Sequence, residues 1–160
     1  MPVYTKTDIE NLAAHMRYNK EDRPFAVITG AGCSFSAGIP LAAALVEEIN
    51  TKDQFAHCIA GLTDAERQDY GRCMAQLSKS ERNDLLGPYL ENSSINWAHI
   101  ALASLMKAGY VGKVLTFNFD NVLARACGLN GLYPAIYDFV SGVADTFDHI
   151  VSPSIIHLHG

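Results

Sequence analysis

The sequence predicts an α/β fold, a Rossmann-like parallel β-sheet with helices on both faces. Three observations predict it. Apolar, β-rich stretches at residues 25–29, 113–118 and 154–158 alternate with segments of helical character. The first of them runs straight into a glycine-rich turn at 30–40, followed by a helix-favouring stretch at 41–49. Each stretch with chemical potential also stands at the carboxyl end of a predicted strand, where ligands of open parallel sheets bind.

A chain of 160 residues reads as one domain, and 49% hydrophobic residues suffice to fill a core. Its formal charge of −5 and lack of a basic run give no surface for direct binding of nucleic acid or an anionic membrane. The four cysteines form no C-x-x-C pair, so their spacing reveals no zinc site. Scattered cysteines beside a nucleotide motif predict a reduced, cytoplasmic setting. The amino terminus lacks the apolar core of a signal peptide, and no apolar run approaches the ~20 residues of a membrane helix.

In order, residues 7–18 read as a helix. Thr7 and Glu10 stand at capping-box spacing, with Ile9, Leu12, Ala13 and Met16 on one face. A polar loop ending at Pro24 leads into the first strand. Pro40 suits the first turn of the helix at 41–49. From 51 to 93 the chain predicts two or three short helices inserted over the sheet and covering the cleft. Thr63 with Glu66 and Ser78 with Glu81 have capping-box spacing, and Gly61, Gly71 and Gly87-Pro88 mark breaks. Residues 96–106 form the most apolar helix, closed by Gly109. After the strand at 113–118, Asp120-Asn121 can cap a helix at 122–126. Residues 133–140 predict a short third strand, and 154–158 the last.

The turn Gly30-Ala31-Gly32-Cys33-Ser34 between strand and helix lets backbone approach an anion with no Cβ in the way. It is not a regular G-x-G-x-x-G, because Phe35 holds the third glycine position, and it has no P-loop lysine. His159, beside Gly160 at a strand end, suits acid/base work because imidazole titrates near neutrality. His157 shares its face and is assigned a structural role, since a His-x-His pair here lacks a third metal ligand. Asn118 either ends a strand, caps the next helix, or in a cleft holds a water or a ribose hydroxyl. Asp120 reads as a helix N-cap. Phe35, Phe117 and Phe119 read as core or cleft-lining aromatics. Trp97 and His99 read as packing groups on an apolar helix. Cys33 reads as structural, with no base beside it in sequence.

Three islands in order give a more specific signal: Gly-Ala-Gly-x-Ser-x-Ser-x-Gly-Ile-Pro at 30–40, Thr116-Phe117-Asn118-Phe119-Asp120, and His157-Leu158-His159-Gly160. Together they resemble the motifs of the sirtuin superfamily, which binds NAD, over residues 25–160. The resemblance implies that residues 1–160 are a sirtuin-like NAD-binding domain with a helical insertion at about 51–93. By motif match, Gly30, Ala31, Gly32 and Ser34 would lie against the NAD pyrophosphate and ribose. Thr116, Asn118, Phe119 and Asp120 would surround the nicotinamide, with Asp120 on its carboxamide. His159 and Asn118 would be catalytic. NAD would serve as substrate, with no metal required.

Leu41-Ala42-Ala43 replaces the polar residue and Phe-Arg that follow Gly-Ile-Pro in deacylases, and Phe117 replaces the Gln of Thr-Gln-Asn. Both departures resemble the antiviral-defence branch of the family, whose members hydrolyse NAD. That branch implies an NADase effector domain that cleaves NAD to nicotinamide and ADP-ribose. A sensor domain or partner protein and a homo-oligomer are the implied assembly. A protein-lysine deacylase and a non-catalytic NAD- or ADP-ribose-binding module are the alternatives. The family's sheet and zinc cysteines continue past His-Gly, so the resemblance further implies a truncation at Gly160.

Overall fold

A computed structural model describes residues 4–138 and 150–158. In chain order the elements are α1 (Lys6–Asn19), β1 (Phe25–Thr29), α2 (Ala31–Phe35), α3 (Ala42–Thr51), α4 (Tyr70–Gln76), α5 (Lys79–Asn92), α6 (Trp97–Lys107), β2 (Val111–Thr116), α7 (Val122–Leu129), β3 (Ala135–Asp138) and β4 (Ser154–His157). Short 3-10 turns lie at Asp53–Phe55 and Glu66–Gln68. The chain divides into two compact units. One takes its described residues from Met1–Cys33 and Ile95–Gly160, and the other is Ser34–Ser94.

The first unit carries a sheet of order β1-β2-β4-β3 in which every pairing is parallel. The fold is therefore α/β and Rossmann-like, as the alternation of strands and helices predicts. Side chains alternate across a strand, so paired residues share a face. Val27, Val114, Ile155 and Ile136 form one row across the four strands. The first three pack with Leu102 and Met106 of α6 and with Leu123 and Ala126 of α7. Two residues further on, Thr29, Thr116, His157 and Asp138 make the next row on the same face. The core thus sits directly beneath the carboxyl ends of the strands. On the opposite face, Ile28 is 70% exposed.

Two glycines are required by this arrangement. Gly109, at φ +79°, ends α6 in the left-handed conformation that glycine adopts without strain. Gly112 is the extra residue where the β1–β2 register shifts, Phe25 pairing with Val111 and Ala26 with Lys113. A Cβ on Gly112 would stand 3.0 Å from Pro24 Cγ.

The second unit has its own core, built from Leu45 and Ile49 of α3, Phe55, Cys73 and Leu85. Asn50 Nδ2 donates to Arg67 O at 2.8 Å, tying α3 to the turn at Glu66–Gln68. Ser78 caps α5 as predicted, in a capping box with Glu81.

Several boundaries differ from expectation. The α1 capping box is Thr5 with Asp8, two residues before the predicted pair. Of the predicted apolar face, Met16 packs against the core, but Ile9 and Leu12 are exposed. The Thr63–Glu66 box forms, yet it heads only a 3-10 turn. Gly87-Pro88 does not break the chain, because both residues lie inside α5. The second strand ends at Thr116 rather than 118.

The register predicts unequal costs for two isoleucines on opposite faces of the sheet. Ile155→Ala should lose about 2–5 kcal/mol by opening a core cavity. Ile28→Ala should stay within about 0.5 kcal/mol. Urea unfolding of both variants checks this, and equal losses would contradict the assignment of faces.

Candidate functional site

The row Thr29–Thr116–His157 floors a small cavity, with Cys33 and His99 beside it and Asn118 and Asp120 on the turn after β2. Every lining residue belongs to the first unit. The cavity has room for about one water molecule.

Local hydrogen bonds explain how each group arrives there. The ladder continues one step past the strands: Phe117 N–H donates to Thr29 O at 3.1 Å, and Leu158 N–H to Thr116 O at 2.9 Å. The chain then turns away from the sheet. Asn118 N–H donates to Thr116 Oγ1 at 3.0 Å, and His157 Nδ1 lies 3.0 Å from Asn118 O. His157 thus has the structural role predicted for it, pinning the backbone that carries Asn118. Asp120, expected to be the N-cap of α7, lies one residue before it: Asn121 occupies the N-cap position without a side-chain capping bond, and Asp120 Oδ1 accepts from Val122 N–H at 3.0 Å. Asn118 and Asp120 are both buried.

On the other side of the cavity, Asn96 joins two elements. Its Oδ1 accepts from His99 N–H at 3.1 Å, capping α6, and its Nδ2 donates to Cys33 O at 2.8 Å. This places His99 Nε2 3.7 Å from Cys33 Sγ. His99 is 2% exposed, and its Nδ1 has no hydrogen-bond partner among the described residues. A buried polar atom left in this way costs about 1–3 kcal/mol. Burial pushes the His99 imidazole below its ordinary range, and the nearby Asp120 charge offsets part of that. Burial pushes the Cys33 thiol up, and Asp120 adds to the rise. The pair therefore stands as a thiol beside a neutral imidazole near pH 7, so Cys33 is not an activated nucleophile.

The structure thus brings Thr116, Asn118 and Asp120 to one cavity. Gly30, Ala31, Gly32, Ser34 and Phe119 do not line it. Gly30 and Gly32 lie one to three residues before Cys33, and a Cβ on either meets nothing within 4 Å. Their backbone also lies outside the left-handed region. The fold itself gives no reason for glycine at these two positions. Residues 31–35 form one helical turn, α2, where an open turn was expected. Ser34 is fully buried. Phe35, Phe117 and Phe119 are 60%, 54% and 36% exposed, so they are not core residues. Trp97, expected to pack, is 83% exposed. His159 lies outside the described residues.

Sequence reasoning missed His99, Cys33, Asn96 and Thr29 as members of the site. A signal existed for His99: it is a polar residue in the most apolar helix, three positions after a capping Asn.

Among the described residues, no helix is long and apolar enough to cross a membrane. No protein-family model matches the chain, and no curated protein matches it.

The depressed His99 titration has a consequence for stability. As pH falls, the unfolded chain takes up a proton near the ordinary value of ~6.5, while the folded chain resists it. Stability tied to His99 is therefore intact above that value and lost below it. Between about pH 7.5 and about pH 5.5, the wild type should lose more stability than His99→Gln. Parallel curves for the two proteins in urea melts would contradict the burial of a neutral His99.

Proposed function

We propose that this chain is an NAD glycohydrolase domain that cleaves NAD to nicotinamide and ADP-ribose. The observation that carries the proposal is the meeting of Thr116, Asn118 and Asp120 with Cys33, of the glycine-rich segment, at one cavity above the carboxyl ends of β1, β2 and β4. That is where ligands of open parallel sheets bind, and the residues are those that resemble the sirtuin motifs. The open space at Gly30 and Gly32 supports the same proposal, since a close-lying pyrophosphate supplies a reason for glycine that the fold does not.

In the proposed reaction the bond between ribose C1′ and the nicotinamide nitrogen breaks, and its electron pair stays on the ring. A water oxygen attacks C1′ and its proton leaves to a base. Asn118 positions the water, Asp120 contacts the carboxamide, and His159 activates the ribose hydroxyl or takes the proton. Leu41-Ala42-Ala43 and Phe117 stand where the deacylase motifs carry a polar residue with Phe-Arg and a Gln. That observation favours hydrolysis over deacylation. The resemblance to the antiviral-defence branch extends the proposal to an effector role, with a sensor domain or partner and a homo-oligomer.

Turnover of NAD without any acyl-peptide is the expected activity. Asn118→Ala should lower it by about 10²–10³-fold, and His159→Ala by about 10²–10⁴-fold. Equal rates in wild type and both variants would refute the assignment. A requirement for acyl-peptide would instead identify a deacylase.

Gly32→Ala separates ligand binding from folding. Its stability should be unchanged or raised by up to about 1 kcal/mol, because Gly32 sits in a helical turn with room for a methyl. Calorimetry should nevertheless show NAD binding weakened by about tenfold or more. Unchanged affinity would remove the glycine-rich segment from the binding site.

A further inference from the structure

We propose that His57, Cys58 and Glu81 form a binding site for a zinc-class divalent cation in the second unit. The three side chains converge from two places. His57 and Cys58 follow the 3-10 turn at Asp53–Phe55, and Glu81 stands in the first turn of α5. His57 Nε2 lies 2.8 Å from Glu81 Oε1 and 3.5 Å from Cys58 Sγ, and Cys58 Sγ lies 3.1 Å from the same carboxylate oxygen. One nitrogen, one sulfur and one oxygen thus lie within 4.8 Å of one another.

Bond lengths decide whether an ion fits. Zinc bonds of about 2.0–2.3 Å at tetrahedral angles separate ligand atoms by about 3.4–3.6 Å. The nitrogen–sulfur distance already meets this value. The two distances to the carboxylate are short by roughly half an ångström, as expected where hydrogen bonds hold the groups together. The His57 side chain is 72% exposed, so it can move by that amount. Glu81 is already turned toward the other two groups. Ser78 N–H donates to Oε2 at 2.7 Å, which leaves Oε1 facing His57 and Cys58. Such orientation of a ligand by a second hydrogen bond is the usual support of a metal site.

The donor set selects the ion. A thiolate with an imidazole and a carboxylate suits zinc and disfavours magnesium and calcium. Binding releases the Cys58 thiol proton to solvent. Three protein ligands leave the fourth position to water on the exposed side. The ion would fasten the chain after the 3-10 turn to the start of α5, residues 23 apart from Cys58 to Glu81. The site escapes a search for paired cysteines because it uses a single one.

The test titrates zinc chloride into the whole chain, kept reduced, and repeats it with Cys58→Ser and His57→Gln. Neither substitution changes Ser78 or Glu81 of the helix cap, and because Cys58 packs at the edge of the second core, far-ultraviolet circular dichroism checks the folding of both variants. The wild type should take up one zinc per chain, with each variant binding at least about 10–100-fold more weakly. The cobalt-loaded wild type should display a thiolate-to-cobalt charge-transfer band that Cys58→Ser lacks. No uptake by the wild type, affinities equal to wild type in both variants, or a band that survives Cys58→Ser would each overturn the proposal. None of these outcomes bears on NAD cleavage, which concerns the first unit.

Discussion

The in-register pairing of β1, β2 and β4 is the constraint on which the candidate site depends. Val27, Val114 and Ile155 hold that register by facing α6 and α7 together. A slip of one residue in any strand would turn its apolar side chain out and a neighbour in, so burial fixes the pairing strongly. Thr29, Thr116 and His157, two residues further along the same strands, then arrive as a row on the same face. The site's floor is a by-product of core packing one layer below.

Above that floor, polar side chains do the positioning. His157 holds the Asn118 carbonyl, Thr116 holds the Asn118 amide, and Asp120 starts α7. Asn96 does the same on the far side, joining the α6 terminus to the Cys33 carbonyl. Each of these bonds fixes a backbone turn that would otherwise fray at a strand or helix end. His99 is the exception, with one ring nitrogen against Cys33 and the other unpartnered among the described residues. Buried polar groups left incomplete are more common where a structure serves a ligand than where it serves itself.

The fold was legible in the sequence where one physical signal dominated. Residues 25–29 were bounded by Pro24 and Gly30, and β1 occupies that span. The apolar run opened at Asn96 and was closed by Gly109, and α6 lies between them. Where signals competed, local rules lost. Two threonines with an acidic residue three positions later stood near the start of α1, and the earlier one caps it. Gly87-Pro88 reads as a breaker, yet α5 continues through it.

The site was legible only in part, for a similar reason. Motif order brought out Thr116, Asn118 and Asp120. It missed Thr29 and His99, whose membership depends on strand register and on which face of α6 turns inward. Neither is written in local spacing. Of the two readings of the phenylalanines, the core one failed because their hydrophobicity was weighed without their position. All three sit in or beside turns, beyond the strand ends where the core stops.

The central claim is that a single ligand site sits above the carboxyl ends of the parallel strands, drawing on three distant segments of the chain. Amide resonances followed during titration with NAD test it most directly. The account predicts that Thr29, Cys33, His99, Asn118 and Asp120 shift together along one saturating curve. Shifts confined to other residues, or no shifts at millimolar NAD, would contradict it.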